Sequence, residues 1–132
     1  MSDSRLDRLV QAALDSRKSA YAPFSKFLVG AAIEDAQGRI HTGCNIENAS
    51  YGLTVCAERT AVLKAVSEGV REFVRIAVAA ETDPLTPPCG ACRQVLAEFC
   101  DDLEIVMVNP AGKTESVRLK DLLPRAFRAS FR

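Results

Sequence analysis

The stretch "TVCAERTAV" (54–62) puts a thiol, a carboxylate and a guanidinium at the head of a small, apolar segment. Cys56 stands two residues before Glu58, and Arg59 follows at once. The pattern continues through "VCAERTAVLKAVSEG" (55–69) and predicts a helix that Thr54 caps and that stops near Gly69. On its N-terminal side, "FLVGAAIE" (27–34) and "RIHTGCNI" (39–46) read as strands joined by the turn "DAQGR", a hairpin. On its C-terminal side, "FVRIAVAA" (73–80) has the β-branched, uninterrupted apolar character of a buried strand. A helix between strands is the mark of an α/β domain.

The rest of the chain extends this alternation. Leu6, Leu9, Val10, Ala13 and Leu14 fall at helical spacing, so residues 4–20 predict an amphipathic helix, with Ser4 and Asp7 as a capping box. After the proline-rich loop "ETDPLTPP" (81–88), "CGACRQVLAEFC" (89–100) predicts a second inner helix. "LEIVMVN" (103–109) reads as a strand, "ESVRLK" (115–120) as an edge strand and "DLLPRAF" (121–127) as a short helix. The order αββαβαβ(β)α predicts a three-layer α/β/α domain over 1–132 with a mixed five-stranded sheet, its later strands parallel through crossover connections.

Composition narrows the function. The chain has 132 residues, enough for one domain with its own core. Seventeen basic residues balance 17 acidic ones, which argues against a protein that lives on nucleic-acid phosphates or an anionic membrane surface. "MSDSRLDRLV" has no apolar signal region and no run approaches a membrane span, so a cytoplasmic location is expected. Five cysteines, an odd number in a reducing compartment, point to metal binding or catalysis before disulfides.

Cys89 and Cys92 form C-x-x-C at a predicted helix start, a spacing shared by zinc sites, redox pairs and chance. Cys56 also begins a helix. If adjacent parallel strands feed the two helices, their N-termini emerge at one sheet end and three thiolates converge. Three protein ligands with one open position is the catalytic zinc pattern. Glu58 would then stand beside a metal-activated water without ligating the metal, and Arg59 would offset the excess thiolate charge. Cys44 and Cys100 lie outside the motif and read as buried thiols. His41, the only histidine, sits in a strand and reads as a surface or pairing residue.

"C-A-E" followed by "P-C-G-A-C", with "GCNIENASYGLTVCAERTA", "YAPFSKFLVGAA" and "LLPRAF", resembles the small homotetrameric zinc-dependent cytidine deaminases in their three-cysteine form. The resemblance runs from about Tyr21 to Phe127. It implies Cys56, Cys89 and Cys92 as ligands of one Zn2+ per subunit and Glu58 as proton shuttle. It also implies Asn45 and Glu47 on the ribose 3′-hydroxyl, Phe27 on the pyrimidine, and Tyr51 and Phe127 reaching a neighbouring subunit's site. Spacing alone would leave Phe27 a core residue, Tyr51 and Phe127 ordinary packing residues, and Asn45 and Glu47 loop residues. Arg125 departs from the pattern, since family members often have glycine there.

The activity implied is hydrolytic deamination of free cytidine and deoxycytidine to uridine and deoxyuridine in pyrimidine salvage, with nucleoside as substrate and no nucleic-acid or membrane partner. Two other readings stay open. One is a deaminase of a nucleoside-like antibiotic of the blasticidin S type, although those lack "N-x-E-N". The other is a non-catalytic binding module whose structural zinc recruits Cys44 as fourth ligand.

Overall fold

The computed structural model describes residues 4–129. Helix α1 (Ser4–Ser16) is followed by strands β1 (Val29–Asp35) and β2 (Ile40–Cys44), helix α2 (Ala57–Ser67) and strand β3 (Phe73–Ala80). Helix α3 (Gly90–Phe99), strands β4 (Glu104–Val108) and β5 (Thr114–Arg118), and helix α4 (Leu119–Leu122) complete the chain. The strands form one sheet in the order β2-β1-β3-β4-β5. β1 runs antiparallel to both neighbours, β3 and β4 are parallel, and β4 and β5 are antiparallel.

The mixed sheet and its two helical layers match the expectation from alternation. Two details differ. Only the β3–β4 pair is parallel, because the short turn "PAGK" returns β5 as a hairpin and leaves no room for a crossover. The strands that feed α2 and α3 are also not adjacent. β2 and β3 flank β1, and because each is antiparallel to it they point the same way. The two helices therefore still start at one end of the sheet, one strand further apart than the sequence suggested.

Side-chain size distributes the layers. One face of the sheet presents Val29, Ala31, Ile33, Ile76, Val78, Ile105 and Met107 to α2 and α3, which answer with Ala61, Val62, Leu96 and Ala97. The other presents Ala32, Ala77 and Ala79 with Val106 and Val108 to α1, whose Leu9 and Ala13 are fully buried. A Cβ on Gly30 would fall on the carbonyl oxygen of Ala13, so the small residues of β1 set how closely α1 lies on the sheet. All seven residues of β1 are buried, as a central strand covered on both faces requires.

Helix ends depart from the sequence expectations by up to five residues. α1 gives way at Arg17–Ser19 to a single 3₁₀ turn. The described part of α1 begins at Ser4, and the residues before it, where a cap would be judged, lie outside the described residues. Thr54 does not cap α2; the N-cap is Cys56. The last helix ends before Pro124, whose ring cannot continue it. Beyond it Arg125 has φ 59°, a left-handed conformation that glycine, the residue the resemblance leads one to expect there, adopts without strain.

The hairpin turn is tied down by Asp35. Its Oδ1 accepts the backbone N–H groups of Gln37 and Arg39, and its Oδ2 lies 3.0 Å from both Arg39 Nε and His41 Nε2. Burial pushes this carboxyl up, but the hydrogen bonds from His41, Arg39 and Gln37 outweigh it and bring the pKa down to about 2. His41 is thus a pairing residue.

Gly43 carries the packing most relevant to the site. A Cβ there would meet the backbone N of Ala61 and stand 2.7 Å from Ala57 O, so β2 and α2 touch backbone to backbone. Gly43→Ala should push α2 off the sheet, cost about 1–3 kcal/mol and weaken metal retention by displacing Cys56. Urea unfolding together with a zinc titration checks this. An unchanged midpoint and affinity would show that the contact yields freely.

Candidate metal centre

Cys56 and Cys89 are the N-caps of α2 and α3, both with extended backbone (ψ 155° and 169°). Neither side chain is spent on capping its helix, so both sulfurs are free to face each other. Cys92, one turn into α3, is fully buried beneath them. Cys56 Sγ lies 3.8 Å from Cys89 Sγ, which lies 3.4 Å from Cys92 Sγ. These are not disulfide distances, and all five cysteines are free thiols. Sulfurs bound tetrahedrally to one zinc ion at about 2.3 Å sit roughly 3.8 Å apart, so the donor set fits a single Zn2+ in both element and spacing. Among the described residues, these three are the group of metal-capable side chains that converges.

The local electrostatics suit a cation. Cys56 is brought down to about 5 by a hydrogen bond from Cys92, with further donation from Arg59 and Cys89, against the cost of burial. Cys92 is pushed up, because it keeps the proton that Cys56 accepts, and because it is buried near Glu58. Metal binding requires the thiolate form of these sulfurs, so it would release their protons. Arg59 Nη2 donates to Cys56 Sγ over 3.3 Å, while its buried Nε has no hydrogen-bond partner.

Glu58, in the first turn of α2, is 5% exposed. Burial raises its carboxyl to about 7, with the Cys56 charge adding to the rise and a backbone N–H and the Arg59 charge opposing it. It lines a cavity of about 210 Å³ together with Phe27, Asn45, Cys56, Cys89 and Thr86. Thr54 belongs both to this cavity and to a recess of about 420 Å³ bordered by Phe24, Ser25, Glu47 and Tyr51. The metal cluster, Glu58, Phe27, Asn45 and Glu47 thus come together around two hollows with a shared wall.

Tyr51 is 75% exposed at the rim, its ring edge-on to Phe24 with centroids 5.9 Å apart. Phe127 is 66% exposed and borders neither hollow; Gln94 Nε2 donates to its carbonyl oxygen. Cys44 is half-buried and Cys100 buried, both raised by burial, Cys100 to about 11, and neither joins the cluster. The four-sulfur reading therefore lacks its fourth ligand here.

Thr86, Pro87 and Ser25 are site residues that sequence reasoning missed. The prolines before Cys89 and the "YAPFS" turn were visible, but as breakers of pattern, with nothing in their spacing to mark a cavity wall.

Three cysteines for one zinc ion, a buried carboxylate beside them and a cavity opening on both define a zinc-dependent hydrolase. Comparison with known proteins narrows the class. The sequence model of the family described as "Cytidine and deoxycytidylate deaminase zinc-binding region" matches residues 3–108. The cytidine deaminase of Halalkalibacterium halodurans is 52% identical over 122 residues, 92% of this chain and 92% of its own. The probable cytidine deaminase of Dictyostelium discoideum is 47% identical over 128 residues, 96% of this chain and 86% of its own. The crystal structure of cytidine deaminase from Burkholderia pseudomallei matches with a TM-score of 0.89 at 48% identity, covering 96% of this chain and all of that one. The chain belongs to the zinc-dependent cytidine deaminase family.

Metal analysis should find one zinc per chain. Cys89→Ala should lose both zinc and stability, since the site's binding energy is also folding energy. Cys44→Ala should keep the zinc, and loss of metal from that variant would restore the four-sulfur reading.

Proposed function

We propose that the chain deaminates free cytidine and deoxycytidine to uridine and deoxyuridine, in pyrimidine salvage. The observation that carries this reading is the buried Glu58 carboxyl, which shares one cavity with the cysteine cluster, Phe27 and Asn45. Cys56, Cys89 and Cys92 would hold the zinc, which when bound supplies Lewis-acid activation of a water molecule.

Glu58 moves the protons. Its carboxylate takes one proton from the attacking water and delivers it to pyrimidine N3, then carries the remaining proton of the C4 hydroxyl to the amine, so that the C4–N bond breaks, the C4 carbonyl forms, water is consumed and ammonia released. Burial holds its proton affinity near neutrality, where a group can both accept and donate. Arg59 tempers the charge of Cys56. Phe27 packs on the pyrimidine ring.

Asn45 and Glu47 take the ribose 3′-hydroxyl. Asn45 Nδ2 already donates to Phe27 O over 2.7 Å and its Oδ1 accepts Val29 N–H over 2.9 Å. One N–H and one lone pair remain for a ligand. A site built to pair a free hydroxyl leaves polar groups unmatched when that oxygen carries a phosphate or a chain, which disfavours polynucleotides. Balanced net charge agrees.

The reading includes a cytoplasmic location, supported by five free thiols, and a single deaminase domain. No helix among the described residues is long and apolar enough to cross a membrane. It also includes a homotetramer. Tyr21, Phe24, Ile46, Tyr51 and Leu53 expose apolar surface around the site, and Phe127 does so near the end of the described chain. Aromatic side chains exposed in this way are typical of surface that a partner covers. The named relatives are cytidine deaminases, which favours this substrate over a nucleoside-like antibiotic.

Glu58→Gln should fold, keep wild-type zinc and lose activity by about 10²–10⁴-fold or more. Metal analysis beside a cytidine absorbance assay decides; near-wild-type turnover would rule out this proton path. Light scattering should give a tetramer, and Phe127→Ala should lower activity although that ring borders neither hollow within its own subunit. A fully active monomer would sink the shared-site reading.

A further inference from the structure

The turn before β1 is held by the same two residues assigned to the ribose, and one hydroxyl links them to the base platform. Glu47 Oε1 accepts the backbone N–H groups of Phe24 over 2.9 Å and Ser25 over 3.2 Å. Ser25 Oγ donates to the other carboxylate oxygen, Oε2. The same Oγ accepts the backbone N–H of Phe27 over 3.0 Å. That bond forms because Lys26 adopts a left-handed conformation, φ 61°, and folds Phe27 back over Ser25. Phe27 is then fixed from its far side, where its carbonyl accepts Asn45 Nδ2.

A serine in a turn commonly bonds a nearby N–H, and the Phe27 contact alone would be such a local bond. The bond to Glu47 is different in kind. It spans 22 residues of sequence and ends on the carboxylate that borders the larger recess. A carboxylate rotates easily about its last torsion, which is broad and roughly two-fold. Two backbone donors fix one oxygen; the Ser25 hydroxyl fixes the other and selects one orientation for the pair.

The surrounding backbone makes this a unit. Tyr21 N donates to Asn45 O and Glu47 N to Tyr21 O, while Ile46 and Val55 exchange both of their hydrogen bonds, each over 2.9 Å. Val55 immediately precedes the metal ligand Cys56. The turn, the ribose residues and the start of α2 are therefore laced together, with Ser25 as the side chain that joins the Glu47 end to the Phe27 end.

We propose that Ser25 is a positioning residue of the nucleoside site, its hydroxyl holding the Glu47 carboxylate and the Phe27 backbone in the one arrangement that reads 3′-hydroxyl and base together. The inference rests on the assignment of Glu47 to the ribose. Ser25 makes no bond to the reacting atoms, and its effect is on substrate binding through Glu47 and Phe27.

The test compares cytidine with 3′-deoxycytidine on the zinc-loaded wild type, Ser25→Ala and Ser25→Thr. Wild type should prefer cytidine. Ser25→Ala should raise the KM for cytidine roughly tenfold or more, the scale of losing a hydrogen bond to a charged acceptor. Its kcat should fall much less, and its preference for cytidine over 3′-deoxycytidine should collapse. Ser25 is exposed, so Ser25→Thr has room for its methyl group, keeps the hydroxyl and should recover both KM and preference. If Ser25→Ala retains the wild-type preference, or loses zinc, the positioning role is overturned. If the wild type itself shows no preference for the 3′-hydroxyl, the assignment of Glu47 fails first, and the inference falls with it.

Discussion

Three sulfur atoms within 4.8 Å of one another are the constraint on which the rest of the molecule depends. They come from two helices whose N-caps are 33 residues apart in sequence and whose feeding strands are separated by β1. Cysteine is a short side chain, so the cluster depends on both helix starts being held closely in place. That demand accounts for the small residues at the contacts. Gly43 lets the backbones of β2 and α2 meet, and Ala57, Ala61 and Ala97 leave little freedom for repacking. A core of Leu and Phe at these positions could be equally well filled, but it would hold the helices further from the sheet.

The same constraint creates an electrostatic problem. Three thiolates in a partly buried pocket repel one another, and without a metal the hydrogen bonds among the sulfurs favour charge on Cys56 and disfavour it on the more deeply buried Cys92. Helix N-termini beneath Cys56 and Cys89 and the guanidinium of Arg59 supply positive potential. Arg59 does so through its Nη2 donation to Cys56 Sγ. Glu58 is subject to the opposite pressure. Burial and the neighbouring thiolate disfavour its charge, which is why it can hold a proton near neutrality when an exposed glutamate cannot.

The catalytic half of this arrangement was legible in sequence because each of its residues is tied to a periodic element. Cys56, Glu58 and Arg59 mark one helix start, and Cys89 and Cys92 mark another. The strands "RIHTGCNI" and "FVRIAVAA" lead into those two starts, and the uninterrupted apolar run of the second marks it as buried on both faces. What sequence left out was pairwise. Which strands lie side by side follows from β1 being drawn between β2 and β3, a long-range preference with no local signature. Thr54 carried the usual cap signal, yet Cys56 occupies the cap because the chain is held extended through Val55 by its ladder with Ile46. Arg125 was visible only as a departure, and its meaning came from its positive φ.

The recognition half was harder to read for a reason that also explains how it works. The turn at 22–27 and the loop at 45–54 contain no strand and only one short 3₁₀ turn, so no periodicity marks them. Their order comes from side chains bonding backbone: Asn45 to Phe27 and Val29, Glu47 to Phe24 and Ser25. Such bonds are made by residue types that abound in ordinary loops, and sequence gives no sign of which ones are satisfied by the chain itself. The consequence is that the polar groups assigned to the sugar are not free arms waiting in solvent. Most of their hydrogen-bonding capacity is already spent on holding the site's shape, and a ligand meets only what remains. A group restrained in this way loses little freedom when a ligand arrives, and on the proposed assignment the residual lone pairs and N–H groups are what would tell a free 3′-hydroxyl from a blocked one.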